Sequence, residues 1–427
     1  MHEDTLGEKP CNPNLTSTIQ VADKGRRKIK PRTILFTILV VIVAVGIVLA
    51  VWRLTRPTFS NANQELEYIV TDTVKSNKQI KSCVLYVTKG DGSFTWSGAA
   101  GIANQAGQVP MTKDTPIYLA SVTKIYTAVA IMKLYEQGVL ALDDPMAKYL
   151  PGDLISGINV YQGHDYSNEI TIAQLLAQTS GIADYYNDKP NGGKNLFEIF
   201  TADPERVWAT DELIARARRD LQPHFAPNMK NAYYADTNYA LLGKIIESVT
   251  GKPLHVVYDE FFFQPLGLTH TWLVGRSEPR IKPSAAPADV FAKDANITKI
   301  RSNGAYWADG GIVSTTEEAA MFLKALNEGR LIRQDTLELM HHWHPIQNTG
   351  PFQYGYGTMK IEVPAFINWA VQVPPVWGHT GSVGSFLYYS PSQDLYMAGT
   401  INQTDDRIAP IMLMIKVMQA IAHADNS

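Results

Sequence analysis

From Gln64 onward, apolar residues fall at Leu66, Ile69, Val70 and Val74, the three-to-four spacing that lines one side of a helix. The pattern then changes. Residues 83–88 and 94–99 are short runs rich in β-branched and aromatic side chains, separated by Lys89-Gly90-Asp91-Gly92, and predict a β-hairpin. Helical spacing governs the middle of the chain: 122–137, then 170–178 following Ser167 and Asn168, then 239–249, closed by Gly251-Lys252-Pro253. Strand-like runs return at 356–363, 376–379, 385–390 and 395–401, and a last helix is expected over 408–422. Strands at both ends with helices between them predict an α+β fold. An antiparallel sheet would be built from N- and C-terminal segments and covered by helices, with a helical insertion forming a second lobe.

One apolar stretch has no periodicity at all. Residues 33–52, TILFTILVVIVAVGIVLAVW, carry no charge and match the ~20 residues a helix needs to cross a bilayer. Lys24, Arg26, Arg27, Lys28, Lys30 and Arg32 precede the stretch, and only Arg53 and Arg56 follow closely. The positive-inside rule then predicts a single-pass protein of the cell membrane, with its N-terminus cytoplasmic and the rest extracytoplasmic. A cleaved signal peptide fits less well: the run is longer than the usual apolar core of about 7–15 residues, and no A-x-A-like site follows it. The expected organisation is a cytoplasmic tail over 1–32, a signal-anchor helix over 33–52, a linker over 53–62 and one domain over 63–424.

Composition narrows the function. The 427 residues suffice for a large core, and a formal net charge of -3 gives no basic footprint for nucleic acid. Cys11 and Cys83 lie on opposite sides of the apolar stretch, so a membrane-spanning segment between them rules out their pairing within the chain. No Cys or His pattern has zinc-site spacing. His341-His342-Trp343-His344 lacks an accompanying carboxylate pattern and is expected at the surface, where a helix enters a loop.

Ser121 and Lys124, three apart at the start of a predicted helix, share one face and can touch. A serine hydroxyl needs a base to become a nucleophile, and a lysine serves only where its surroundings release its proton. The helix N-terminus also favours a developing oxyanion. Ser-x-x-Lys alone reads equally well as a capping serine beside a surface lysine.

The surroundings weigh against that plain reading. Thr115-Pro116-Ile117-Tyr118-Leu119-Ala120-Ser121-Val122-Thr123-Lys124 resembles the nucleophile segment of the β-lactamase and penicillin-binding protein superfamily, in its class C β-lactamase, D-alanyl-D-alanine carboxypeptidase and esterase branch. Further blocks follow in the family's order. Leu175-Leu176-Ala177-Gln178-Thr179-Ser180-Gly181 resembles Leu-Leu-x-His-Thr-Ser-Gly, with Gln178 in place of histidine. Tyr234-Ala235-Asp236 resembles the Tyr-x-Asn block, Gly310-Gly311-Ile312-Val313-Ser314-Thr315 a Gly-Gly-Leu-Val-Ser-Thr-like turn, and His379-Thr380-Gly381 the third catalytic block. Tyr166-Ser167-Asn168 matches Tyr-x-Asn by letter but precedes the Leu175 block, and is read as a loop leading into a helix.

The resemblance implies a serine hydrolase acting through a covalent acyl-enzyme, with Ser121, Lys124, Tyr234 and His379 catalytic. Tyr234 would shuttle a proton to the leaving group, and His379 would bond a substrate carboxylate or the Tyr234 hydroxyl. Ser121, Asp236, Thr380, Gly381 and Ser382 would form the substrate and oxyanion positions, the backbone N–H groups of Ser121 and Ser382 making the oxyanion hole. No metal or cofactor is required. The implied substrate is a D-Ala-D-Ala-type peptide, a β-lactam or a small ester, D,D-carboxypeptidase-like action being favoured and peptidoglycan the natural source for a membrane-tethered domain. The alternative is a non-catalytic membrane receptor that binds cell-wall fragments or β-lactams. Asp236 is the main departure: an ionised carboxylate donates no hydrogen bond and would hold Lys124 protonated, displacing activity toward alkaline pH. Gln178 is expected to matter less.

Overall fold

The computed structural model describes residues 57–300, 305–347, 349–363 and 373–425, with Val51 and Asn368 as isolated positions. The tail, the apolar run 33–52 (except Val51) and residues 53–56 of the linker expected over 53–62 lie outside them. Among the described residues no helix is long and apolar enough to cross a membrane.

Helix α1, Ala62–Ser76, starts where the Asn61 side chain accepts the Gln64 N–H, an N-cap that satisfies one of the helix's free donors. Strands β1 (Ser82–Lys89) and β2 (Thr95–Asn104) form the expected hairpin, extended by a short β3, Val109–Pro110. β4, Ile117–Tyr118, leads through the tight turn Ala120–Val122 into α2, Thr123–Glu136. Helices α3 (Ile172–Leu176) and α4 (Asp236–Thr250) follow, α4 ending on Gly251 at φ 65°, a conformation glycine reaches without a Cβ clash. Then come β5 (Trp272–Leu273), β6 (Ile312–Ser314) and α5 (Thr316–Asn327). The chain closes with β7 (His344–Pro345), β8 (Phe352–Tyr354), β9 (Met359–Ile361), β10 (Val376–Thr380), β11 (Ser385–Ser390), β12 (Leu395–Thr400) and α6, Ala409–Asp425.

Nine strands form one antiparallel sheet in the order β7-β8-β9-β10-β11-β12-β1-β2-β3. The first strand therefore lies beside the last, Val84 opposite Thr400. Alternation along the strands divides the side chains between two cores. Cys83, Leu85, Val87, Phe386, Tyr388 and Met397 pack with Leu66 and Ile69 of α1 and Leu413 and Val417 of α6. Val84, Leu387, Tyr396 and Ala398 face the other way, into a larger core with α2, α4 and α5. A small sheet, β4-β6-β5, adjoins that second core.

Two expectations are corrected. Residues 356–363 do not make the single strand their pattern predicts: the chain turns at Gly355 and Gly357 (φ 73°) to make the β8–β9 hairpin. The histidine run follows a helix end, as expected, but only His342 is exposed. His344 is buried, and the His341 ring stacks on Trp343 and packs near Trp377. The Tyr166 segment is a loop before α3, as expected, with the Ser167 hydroxyl accepting the Ile158 N–H.

Candidate active site

Ser121 sits in the turn between β4 and α2, partly exposed, directly after Ala120 at φ 46°. A non-glycine residue there is strained by about 1 kcal/mol or more, so its surroundings must hold it. Leu119 N–H donates to Ile312 O (2.9 Å) and Ile312 N–H to Thr123 Oγ1 (3.1 Å), tying the turn to the Gly310-Gly311 block. The Ser385 hydroxyl of β11 donates to Leu119 O (2.8 Å). Gly381, just past β10, lies so near that a Cβ there would meet Leu119 O at 2.5 Å and the Ala120 Cβ at 3.1 Å. The sheet and the start of α2 therefore meet at Ser121.

One turn beyond Ser121, at the second residue of α2, Lys124 is fully buried. Its Nζ lies 3.1 Å from Ser121 Oγ, 2.5 Å from Asp236 Oδ1 and 2.6 Å from the Asp309 carbonyl oxygen. Burial pulls the Lys124 ammonium down, but Asp236 and then Asp309 outweigh it and leave its pKa above the ordinary lysine value. Asp236, at the first position of α4, thus faces Lys124 directly. The Tyr234 ring lies under Nζ, 5.1 Å from the ring centroid, and Tyr239 of α4 lies 5.6 Å away. Burial, followed by Asp236, raises the Tyr234 phenol well above its usual value, against a lowering contribution from hydrogen bonding to Ser121.

His379 is fully buried. Its Nδ1 lies 2.6 Å from its neighbour's carbonyl, Thr380 O, and so must carry the proton. That leaves Nε2 to accept from Tyr354 of β8 at 3.3 Å. Burial first, then Lys124, lowers the ring's pKa to about 3, so it is neutral near pH 7. Its rings pack on Tyr234 (6.0 Å) and Tyr354 (5.7 Å). His379 therefore bonds to Tyr354, where the expectation was a substrate carboxylate or the Tyr234 hydroxyl. Thr380 and Gly381 are partly exposed beside the Ser121 turn, and Ser382 is exposed in the turn to β11.

Several further residues, outside the motif blocks or away from their expected role, build the site. Asp184 Oδ1 accepts the Asp236 N–H (3.1 Å); burial, with Asp236 adding, pushes the Asp184 carboxyl up to about 7. The Asp309 carboxylate accepts the Tyr185 hydroxyl (2.8 Å) and the Trp307 N–H (3.1 Å), and burial followed by Asp236 raises it to about 6. Tyr354 holds His379. Gln178, expected to be peripheral, is buried at φ 61°, and its Oε1 accepts from Ala235 N–H (3.0 Å) and Asn238 Nδ2 (2.5 Å), clamping the Tyr234–Asp236 segment. Asp184 follows three residues after the Thr179-Ser180-Gly181 block and Asp309 immediately precedes Gly310-Gly311, so adjacency to a motif was the available signal. Among the described residues, no group of three His, Cys, Asp or Glu side chains is placed to hold a metal ion.

The arrangement joins a hydroxyl to an ammonium–carboxylate pair beneath a phenol. Residues 66–414 match the family model described as Beta-lactamase. A putative D-alanyl-D-alanine carboxypeptidase of Escherichia coli O157:H7 is 37% identical over 337 residues, spanning 72% of this chain and 74% of that protein. The crystal structure of a D-stereospecific amidohydrolase from Streptomyces sp. superposes with a TM-score of 0.64 at 25% identity, covering 82% of this chain and 97% of that one. A D-amino acid amidase from Ochrobactrum anthropi, complexed with D-phenylalanine, shares the fold with a TM-score of 0.70 at 21% identity, over 85% and 99% of the two chains.

Proposed function

The chain belongs to the β-lactamase family of serine hydrolases, and from that premise we propose that it is a membrane-anchored, D,D-carboxypeptidase-like enzyme cleaving a D-Ala-D-Ala-type peptide, a β-lactam or a small ester. The observation that carries the reading is the contact of Ser121 Oγ with the buried Lys124 Nζ at 3.1 Å, beside Tyr234. Ser121 Oγ adds to the substrate carbonyl carbon while its proton leaves toward Lys124. The C–N or C–O bond then breaks, the leaving group is protonated by way of Tyr234, and water releases the acyl group from Ser121. Backbone N–H groups of Ser121 and Ser382 receive the oxyanion, Thr380 and Gly381 line the substrate, and His379 acts from behind by fixing Tyr354 and Tyr234. The curated relative named as a carboxypeptidase and the amidase neighbours favour an amide of a D-amino acid. An extracytoplasmic position, following from the apolar run 33–52 and its basic flank, makes peptidoglycan peptide the accessible source.

Covalent labelling of the full-length chain by a fluorophosphonate and a fluorescent penicillin, with D-alanine release from a D-Ala-D-Ala peptide, tests this. Ser121→Ala should abolish both readouts, a loss of several orders of magnitude in turnover. Labelling retained at another serine would reject the assignment. The hydrogen bonds that occupy Lys124 on three sides favour a second reading, a non-catalytic membrane receptor that binds cell-wall fragments or β-lactams. Reversible binding of a β-lactam or a cell-wall peptide, with neither covalent labelling nor D-alanine release, would mark it.

A further inference from the structure

Lys124 Nζ has an oxygen at each of three hydrogen-bonding positions: Ser121 Oγ, Asp236 Oδ1 and Asp309 O. An ammonium has three N–H donors, so in this arrangement all are used and no lone pair faces Ser121. A base must present one. Loss of a proton to water is obstructed, because Lys124 has no exposed surface. Of the partners on Nζ, the Asp309 carbonyl cannot hold a proton and Ser121 is the group to be deprotonated. That leaves Asp236 Oδ1.

We propose that Asp236 is the terminal acceptor of the serine proton, Lys124 passing one proton to Asp236 Oδ1 as it takes another from Ser121 Oγ. The proposal rests on the hydrolase reading above. Ser121 O–H breaks as a new N–H forms on Lys124, a second N–H breaks as O–H forms on Asp236, and Ser121 Oγ bonds to the carbonyl carbon while its π electrons move to oxygen. When the intermediate collapses, the oxyanion's electrons re-form the π bond as the bond to the leaving atom breaks, Nζ gives up a proton by way of the Tyr234 hydroxyl to that atom, and Asp236 returns its proton to Nζ. Within the pair, passing a proton from Nζ to Oδ1 turns ammonium and carboxylate into amine and carboxylic acid at unchanged net charge; taking the serine proton restores the ammonium, and the negative charge has then moved from Asp236 to the substrate oxyanion. Burial penalises two charges more than two neutral groups, which brings the two forms closer in energy than they are in water. The carboxylate thus supplies the route by which a saturated ammonium becomes a base.

The surrounding groups set the window in which this can be read. Asp184 and Asp309 stand behind Asp236 and titrate near 7 and 6. Tyr234, Tyr239 and Tyr354 are held well above the usual phenol value by burial, and His379 is neutral throughout. Between about pH 8 and pH 10 none of these changes charge, so a rate limited by the pair's internal transfer is level there, whereas a lysine that must first lose its proton to solvent gives an activity that rises up to about tenfold per pH unit.

The test uses full-length chain in detergent and p-nitrophenyl acetate, with kcat/KM followed over that range and a proton inventory taken in mixed H2O and D2O. The expected result is a level profile and a bowed inventory, reporting two protons in flight, that becomes straight in Asp236→Asn. A wild-type profile that climbs with pH together with a straight inventory overturns the relay and leaves Asp236 as a group that merely holds Lys124 protonated. These wild-type readings stand whether or not the variant folds. Fluorophosphonate labelling of Ser121 in the same samples separates the two failures: no labelling removes the hydrolase reading itself, while labelling with a climbing profile removes only the relay.

Discussion

Asp309 is a carboxyl with two good donors and still too few, since Tyr185 and Trp307 do not offset its burial beside Asp236. Its folded pKa, about 6, lies above its ordinary value of 3.8, so the folded chain binds a proton between those values that the unfolded chain has released. By linkage, stability falls as pH rises from about 4 to about 6. Asp309→Asn, which keeps an acceptor for Trp307 N–H, should therefore raise stability at pH 8 by on the order of 1–3 kcal/mol and leave it unchanged at pH 4, as read by urea unfolding at both values. An equal gain at both would show that the carboxyl's ionisation is not the cause. Gln178 is a case of the opposite kind, an uncharged side chain on which a segment depends. Gln178→Ala would strand the buried donors of Ala235 and Asn238, a loss of about 1–3 kcal/mol for each. It should lower Tm and slow Ser121 labelling together; an unchanged Tm would mean that the Tyr234 segment holds itself. Ser121, Lys124 and Tyr234 were legible because each stands inside a block whose order along the chain resembles a family. Asp184 and Asp309 were not, because their significance is burial against Asp236, which is 52 residues from Asp184.

At the scale of elements, the periodicities found α1, α2, α4, α6 and the strands around β1 and β11 to within a few residues. Each of these has a face given to one core, and that repeating demand is what a sequence pattern records. The β8–β9 hairpin was missed because its strands are three residues each and its turn is specified by Gly355 and Gly357 rather than by alternation. Gly357 admits α2, for a Cβ there would lie 2.3 Å from the Ala128 Cβ and 2.8 Å from Lys124 O. Gly381 does the same on the other side of the nucleophile turn. Gly381→Ala should push β10 away from Leu119 and Ala120, slowing Ser121 labelling at least about tenfold while the overpacking costs about 1–3 kcal/mol of stability. Labelling at the wild-type rate would mean that the strand yields without moving the turn.

For the whole molecule, the α+β expectation holds, with the large antiparallel sheet drawn from both ends of the chain. The anchor is a proposal about residues outside the described structure. Protease added to intact cells should digest the domain from residue 57 onward and spare an N-terminal tag, and the reverse pattern would invert the topology. The position of β1 has a consequence for how such a domain is made. It lies in the interior of the sheet, between β2 and β12, and Asn402 bonds the Ser82 hydroxyl across 320 residues. Closing so long a loop carries an entropic penalty of roughly 5 kcal/mol before any contact repays it. A chain threaded outward from its N-terminus presents β1 and β2 first and β12 nearly last, so one edge of that hairpin stays open throughout synthesis and export, a template for pairing with other chains. Nascent chains stopped at residue 390 should therefore aggregate or be degraded, and only release of the final strand and α6 should confer protease resistance, in a single late step rather than by degrees.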